Sequence, residues 1–198
     1  MDDTVPFASR GYFLMLVLLA FARGMDFLST WVATPNLALE GNPIAKRLGW
    51  FWGILLNVVI CLVVALWPAP AVAISTTSVL VAARNFQSAW LMRMLGESTY
   101  ARWHVARIQE TRIPLFLLCL AGNTLLTAGV GMALIYCSGR RWAPAAIGMG
   151  VVAYAAAVAF YTLLAFWRIR RGFKRAGDAP IEVPSQPLED GALKITEV

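Results

Sequence analysis

Five apolar stretches of membrane-spanning length fill most of this 198-residue chain, and they leave it few ways to fold. A helix needs about 20 mostly apolar residues to cross the hydrocarbon core of a bilayer. The stretches cover residues 11–33, 50–67, 71–95, 113–137 and 143–167. Charged residues make up 14% of the chain, against about a quarter in a soluble domain. The fold class this predicts is all-α: a polytopic membrane protein, a five-transmembrane-helix bundle forming a single domain over 1–175. No room is left for a separate soluble catalytic domain. Residues 176–198 carry Pro180, Pro184, Pro187 and mostly acidic charge, too polar to pack a core, and are expected to be a disordered tail.

The connections follow from the breakers. Pro35 ends the first stretch, because the residue before a proline avoids the helical region. That stretch lacks the basic leader and small-residue cleavage site of a signal peptide, so it reads as an uncleaved span. Residues 34–49 form a loop with a short surface helix from Ile44. Pro68-Ala69-Pro70 makes a tight turn. In the connector 96–112, Tyr100, Trp103 and Ala106 recur at helical spacing beside Arg102 and Arg107, which suits a short helix lying on the membrane surface. Trp50, Trp52, Trp67, Trp142 and Trp167 sit near the ends of spans, where their rings anchor at the interface.

Five spans put the termini on opposite faces. One face receives Arg10, Arg140 and Arg141. The other receives Lys46, Arg47, Arg93, Arg102, Arg107, Arg112, Arg168, Arg170, Arg171, Lys174 and Arg175, eleven basic residues against three. The positive-inside rule makes the second face cytoplasmic, with the N-terminus outside and the tail inside a cell (inner or plasma) membrane. The net charge of +6 and pI near 9.7 then mark contact with anionic lipids at the cytoplasmic face. Nucleic acid is not an expected partner, because no basic stripe interleaved with aromatics stands on a soluble surface.

Within this apolar background a few polar side chains lie deep. An ionisable residue in hydrocarbon costs about 2.5 kcal/mol or more, so each needs a partner, a cavity or a function. Arg23, Asp26 and Thr30 share one stripe of the first span by their spacing of three and four. Asn57 lies in the second span, Arg84, Asn85 and Gln87 in the third, and Asn123 in the fourth. At about 1.5 Å per residue, Asp26, Asn57 and Gln87 fall about 10 Å from the cytoplasmic ends, and Arg23, Arg84 and Asn123 about 15 Å. Separate helices thus carry polar groups to similar depths, which predicts one shared polar site in the inner half of the bundle. Arg23 and Arg84 against Asp26 leave one positive charge over. Glu40 could balance it from the loop, or an anionic phosphate or carboxylate could. The alternative is structural: buried Arg–Asp pairs and amide hydrogen bonds also tie helices together in lipid.

The loop reads Glu40-Gly41-Asn42-Pro43, a turn in which Glu40 and Asn42 could cap the cytoplasmic mouth of that site. Asp26 and Thr30 followed by Glu40-Gly41-Asn42-Pro43 resemble a family of small prokaryotic multi-pass membrane proteins of unknown function, marked by Asp-xxx-Thr and then Glu-x-Asn-Pro. The resemblance covers about residues 20–60 and implies no activity.

Several other signals carry no chemistry. Gly148-Met149-Gly150-Val151-Val152-Ala153 has the letters of a dinucleotide fingerprint but lies inside an apolar span with no strand before it. Its small residues suit close helix packing, as do Gly122, Gly129 and Gly131. His104 is the only histidine, which excludes a multi-histidine metal or haem site. Cys61 and Cys119 lie inside apolar spans and are expected to be small buried hydrophobes. No metal site and no cofactor are expected.

Three functions fit. In the first, Arg23, Asp26, Thr30, Glu40, Asn42, Asn57, Arg84, Asn85, Gln87 and Asn123 bind or transport a small polar or anionic solute. In the second, an intramembrane enzyme uses Asp26 and Glu40 as acid and base on a lipid headgroup, although the chain offers fewer acids and histidines than such enzymes need. In the third, the chain is an accessory or scaffold subunit with a membrane-protein partner or a second copy of itself. The sequence favours the first and names no catalytic residue.

Overall fold

The computed structural model describes residues 4–36 and 43–176, and every regular element there is a helix. These are α1 (Arg10–Ala33), α2 (Pro43–Val64), α3 (Pro68–Leu95), α4 (Glu97–Glu110), α5 (Ile113–Cys137) and α6 (Trp142–Ala176). Three are long and apolar enough to cross a membrane: Arg10–Ala33, Ile113–Cys137 and Trp142–Arg171. That is fewer than the five stretches read from the sequence. The apolar part of α2 is the shorter Gly49–Val64, because the chain leaves the helix for the turn before Pro68. α3 is long enough, but Arg84, Asn85, Gln87, Ser88 and Arg93 dilute its apolar character. The helix beyond the five apolar stretches, α4, is the amphipathic connector. α6 does not stop at 167; its helix carries the basic run on to Ala176. Of the expected disordered tail, Ala176 ends α6 and residues 177–198 lie outside the described residues.

Helix ends follow local chemistry. Ser9 caps α1 by accepting a hydrogen bond from the Tyr12 amide at 3.2 Å. Prolines open α3 and α5 where no amide donor is needed. α2 is kinked at Gly49, whose φ of 66° falls in the left-handed region that a side chain disfavours.

The helices form a row rather than a closed bundle. α1 packs along α3, α3 along α6, and α6 along α5, while α2 leans on α1 and α3. The α1–α3 seam is a heptad-like zip. α1 buries Tyr12, Met15, Leu19, Ala22, Ser29 and Ala33, and α3 buries Ala71, Ser75, Ser78, Ala82 and Ala89, both at alternating steps of three and four with one full heptad between Ala22 and Ser29 and between Ala82 and Ala89. The small residues of α3 let the two backbones approach closely. At the α5–α6 crossing backbone meets backbone: a Cβ on Gly148 would stand 2.6 Å from the Gly131 carbonyl oxygen, and one on Gly131 would stand 2.8 Å from that of Gly148. Gly122 and Gly129, expected to serve the same purpose, face open space instead. Cys119 is also corrected: it is exposed on α5, and only Cys61 is buried.

One end of the row, where α1 and α3 begin and α2 ends, holds a small core of Tyr12, Met15, Leu19, Cys61, Ala65 and Ala71. There the Leu66 amide donates to the Val63 carbonyl, so the Leu62 carbonyl at the end of α2 lacks its usual helical donor. The Tyr12 hydroxyl, 3.1 Å away, supplies one. Tyr12→Phe is expected to cost about 1 kcal/mol, read as a lowered unfolding midpoint of the detergent-solubilised protein. At the opposite end, Arg170 of α6 donates to the Thr111 carbonyl at 2.7 Å and the Ile108 carbonyl at 3.3 Å, a cation set on the C-terminus of α4. Phe166 beneath it stacks on Phe116 of α5, centroids 4.2 Å apart.

Candidate functional site

The deep polar side chains divide between two faces of α3. The first group lies where α1, α2 and α3 meet. Arg23 donates through Nε to Asn57 Oδ1 at 2.7 Å, and through Nη1 to Asp26 Oδ2 at 2.9 Å and Ser78 Oγ at 3.0 Å. Its side chain is 27% exposed and that of Asp26 18%. The Asn57 amide returns a hydrogen bond to the Gly53 carbonyl at 2.8 Å, which fixes its oxygen toward Arg23. Two turns further along the α1–α3 seam, Asn85 Nδ2 lies 3.2 Å from Ser29 Oγ and 3.3 Å from Thr30 Oγ1. Ser29 in turn donates to the Asp26 carbonyl at 2.8 Å. One guanidinium therefore ties three helices, and one amide ties two. Arg23, Asn57 and Asn85 spend their donors on neighbouring side chains and on their own helix, which is the pattern of a structural joint.

The second group faces the other way. Arg84, Gln87, Leu80 and Ala83 of α3, Asn123 of α5 and Tyr154 of α6 line an open cleft of about 570 Å³. α3 and α5 both pack on α6 and, among the described residues, not on each other, so the cleft is the gap between them with Tyr154 at its base. Arg84, Gln87 and Asn123 are exposed. Arg84 forms no ion pair among the described residues, where the two recorded are Arg23–Asp26 and Arg107–Glu110. Its guanidinium, with the two amides and a phenol, makes a set of donors suited to oxygen anions.

The single shared site expected from the sequence is thus two sites. Arg23, Asp26, Thr30, Asn57 and Asn85 come together in the joint; Arg84, Gln87 and Asn123 come together in the cleft. Depth along the helices was legible, but α3 is polar on two faces, and depth does not distinguish them. Glu40 and Asn42 lie outside the described residues, as does the Glu-x-Asn part of the resemblance pattern. Its Asp26 and Thr30 both belong to the joint.

Sequence reasoning missed Ser29, Ser78 and Tyr154. Ser78 could have been found from its place in the run Ala71, Ser75, Ser78, Ala82 at steps of four, three and four. Tyr154 could have been found because tyrosine favours the interface and here stands mid-span among alanines. The loop beyond α1 is stitched to its neighbours: Trp50 donates to the Pro35 carbonyl at 3.0 Å, Glu97 accepts from the Asn36 amide at 3.0 Å, and Arg93 donates to the Val32 carbonyl at 2.7 Å. His104 stacks on Tyr100 on α4, far in sequence from either site. Crowding by nearby protein lowers its pKa below the ordinary imidazole value even though much of its surface is open. No cluster of three or more histidine, cysteine or acidic side chains suited to a metal occurs among the described residues.

Comparison of the chain with protein-family models, with curated proteins and with solved structures finds no match.

Proposed function

We propose that this chain is a multi-pass protein of the cell membrane that binds a small anionic group in the cleft between α3 and α5. The observation carrying this reading is Arg84, a permanent cation at mid-depth of a helix row, without a counter-charge among the described residues and flanked by Gln87, Asn123 and Tyr154. A charge there is costly unless an anion meets it, and a guanidinium offers a two-pronged fit to phosphate or carboxylate.

The membrane arrangement belongs to the same proposal. α1, α2, α3, α5 and α6 each cross, with the N-terminus outside, the C-terminus in the cytoplasm, and α4 on the inner surface against anionic lipid. The hydrogen bonds support these directions. Arg23 with Ser78 and Asn85 with Ser29 put α1 and α3 parallel, as two odd-numbered crossings must be. α3 is 28 residues long, about 42 Å at a helical rise, enough to cross despite its polar residues. Reporter fusions at each terminus test this orientation; both reporters active on one side would refute an odd number of crossings.

Arg84→Gln tests the site. Because Arg84 is exposed and holds no partner among the described residues, the variant should fold with a stability change within about 0.5 kcal/mol. Affinity for the anion should fall about tenfold or more, the worth of one charge-assisted pair. Equal loss of fold and binding would make Arg84 a structural tie instead. If the protein also carries its ligand across the bilayer, the same variant should abolish uptake into proteoliposomes.

A further inference from the structure

The cleft reads differently along its length and along its side. Its polar band is short. On α3, Arg84 and Gln87 are followed one turn inward by Leu91 on the same stripe, and preceded one turn outward by Leu80. On α5, Asn123 is flanked on its stripe by exposed Cys119 and exposed Leu126. Two turns inward from Asn123, Phe116 stacks on Phe166 of α6. Arg84 lies eleven residues before the inner end of α3 at Leu95, about 16 Å along the axis. An aqueous anion arriving from the cytoplasm would meet apolar side chains along that distance. Sideways the cleft is open, because α3 and α5 do not touch among the described residues. The cleft, about 570 Å³ and open to the side, leaves room beside Arg84 for more than a bare phosphate.

We infer that the anion is the phosphate headgroup of a membrane lipid, which enters from the side. The inference rests on the binding reading above and names its ligand class. Arg84 takes two phosphate oxygens, the Gln87 and Asn123 amides and the Tyr154 hydroxyl offer further donors, and the acyl chains stay along the apolar flanks of α3 and α5. This arrangement lets the charge of Arg84 be met without a water path through the inner leaflet. A lipid with a small, uncapped phosphate, phosphatidic acid, suits a band only about two helical turns tall.

The full chain, reconstituted in nanodiscs of phosphatidylcholine with a minor fraction of radiolabelled phosphatidic acid, is extracted into detergent and its retained lipid counted. The wild type should enrich phosphatidic acid over phosphatidylcholine by about tenfold or more. Arg84→Gln should abolish the enrichment. So should Ala83→Trp, which keeps the charge and fills an exposed position of the cleft. Arg140→Gln, an exposed arginine of the turn between α5 and α6, should leave it intact. Inorganic phosphate in excess should not displace the lipid. Displacement by inorganic phosphate, with Arg84→Gln still abolishing binding, overturns the lipid assignment and leaves the anion site standing. Enrichment unchanged in both cleft variants, together with no Arg84-dependent binding of inorganic phosphate, overturns both. Circular dichroism and gel filtration report folding; if Arg84→Gln misfolds, Ala83→Trp decides.

Discussion

Gly150→Val is expected to lower the protein's stability sharply. A Cβ at Gly150 would stand 2.5 Å from the Ala73 carbonyl oxygen and 2.7 Å from Thr76 Cβ. The first of these is backbone and cannot swing away, so the helices themselves must part. Parting them also breaks an interhelical hydrogen bond, in which Thr77 Oγ1 shares its proton between the Gly150 carbonyl at 2.9 Å and its own-helix Ala73 carbonyl at 3.0 Å. The α3–α6 seam is the middle of the row, joining the α1–α3 pair to the α5–α6 pair. Its loss therefore divides the molecule and opens the base of the cleft. Overpacking a tight contact costs about 3 kcal/mol. Thermal unfolding in detergent measures the effect, with Gly122→Val as the control, since nothing stands within 4 Å of a Cβ there. Equal melting temperatures for the two variants would mean that the crossing is not tight.

Arg23→Leu is expected to have the next largest effect. The substitution removes hydrogen bonds to Asn57, Asp26 and Ser78 at once and leaves the Asp26 carboxylate without its arginine. Removing one member of a buried ion pair costs about 3–5 kcal/mol, chiefly from the charge left behind. The lower end applies here, since both side chains keep some exposure. Arg23→Leu with Asp26→Leu should be less damaging than the sum of the two single changes, because the double variant removes both members of the pair. Strict additivity would show that the pair is not coupled. Anion binding at the cleft should survive in any variant of the joint that still folds, because Arg84 points to the opposite side of α3 from the seam. That separates the joint from the cleft by experiment.

The fold was legible wherever one rule governed a long segment. Residues 113–137 were bounded by a proline near the start and a polar turn at the end, and α5 has those limits. The connector helix was legible from Tyr100, Trp103 and Ala106, and α4 forms there. The limits of the sixth helix were not, because a basic run after an apolar one reads as an exit from the membrane, whereas Arg170 holds the helix on course by gripping the end of α4. The same holds for small residues. Gly122, Gly129 and Gly131 are alike in sequence, and only Gly131 meets another backbone.

The sequence by itself determined that the chain is helical and apolar enough for a membrane, and it picked out the few side chains whose burial has to be compensated. Length, hydropathy and proline placement act locally, so they can be read without knowing what packs on what. Only the tertiary structure decided how those side chains divide. Arg23 and Arg84 have the same charge and nearly the same depth, yet one is locked among Asn57, Asp26 and Ser78 and the other faces an open cleft. What separates them is the rotation of α3 about its own axis, set by small residues closing against α1 on one side and Gly150 closing against Ala73 on another. A one-dimensional pattern carries the period of a helix but not which neighbour each face meets.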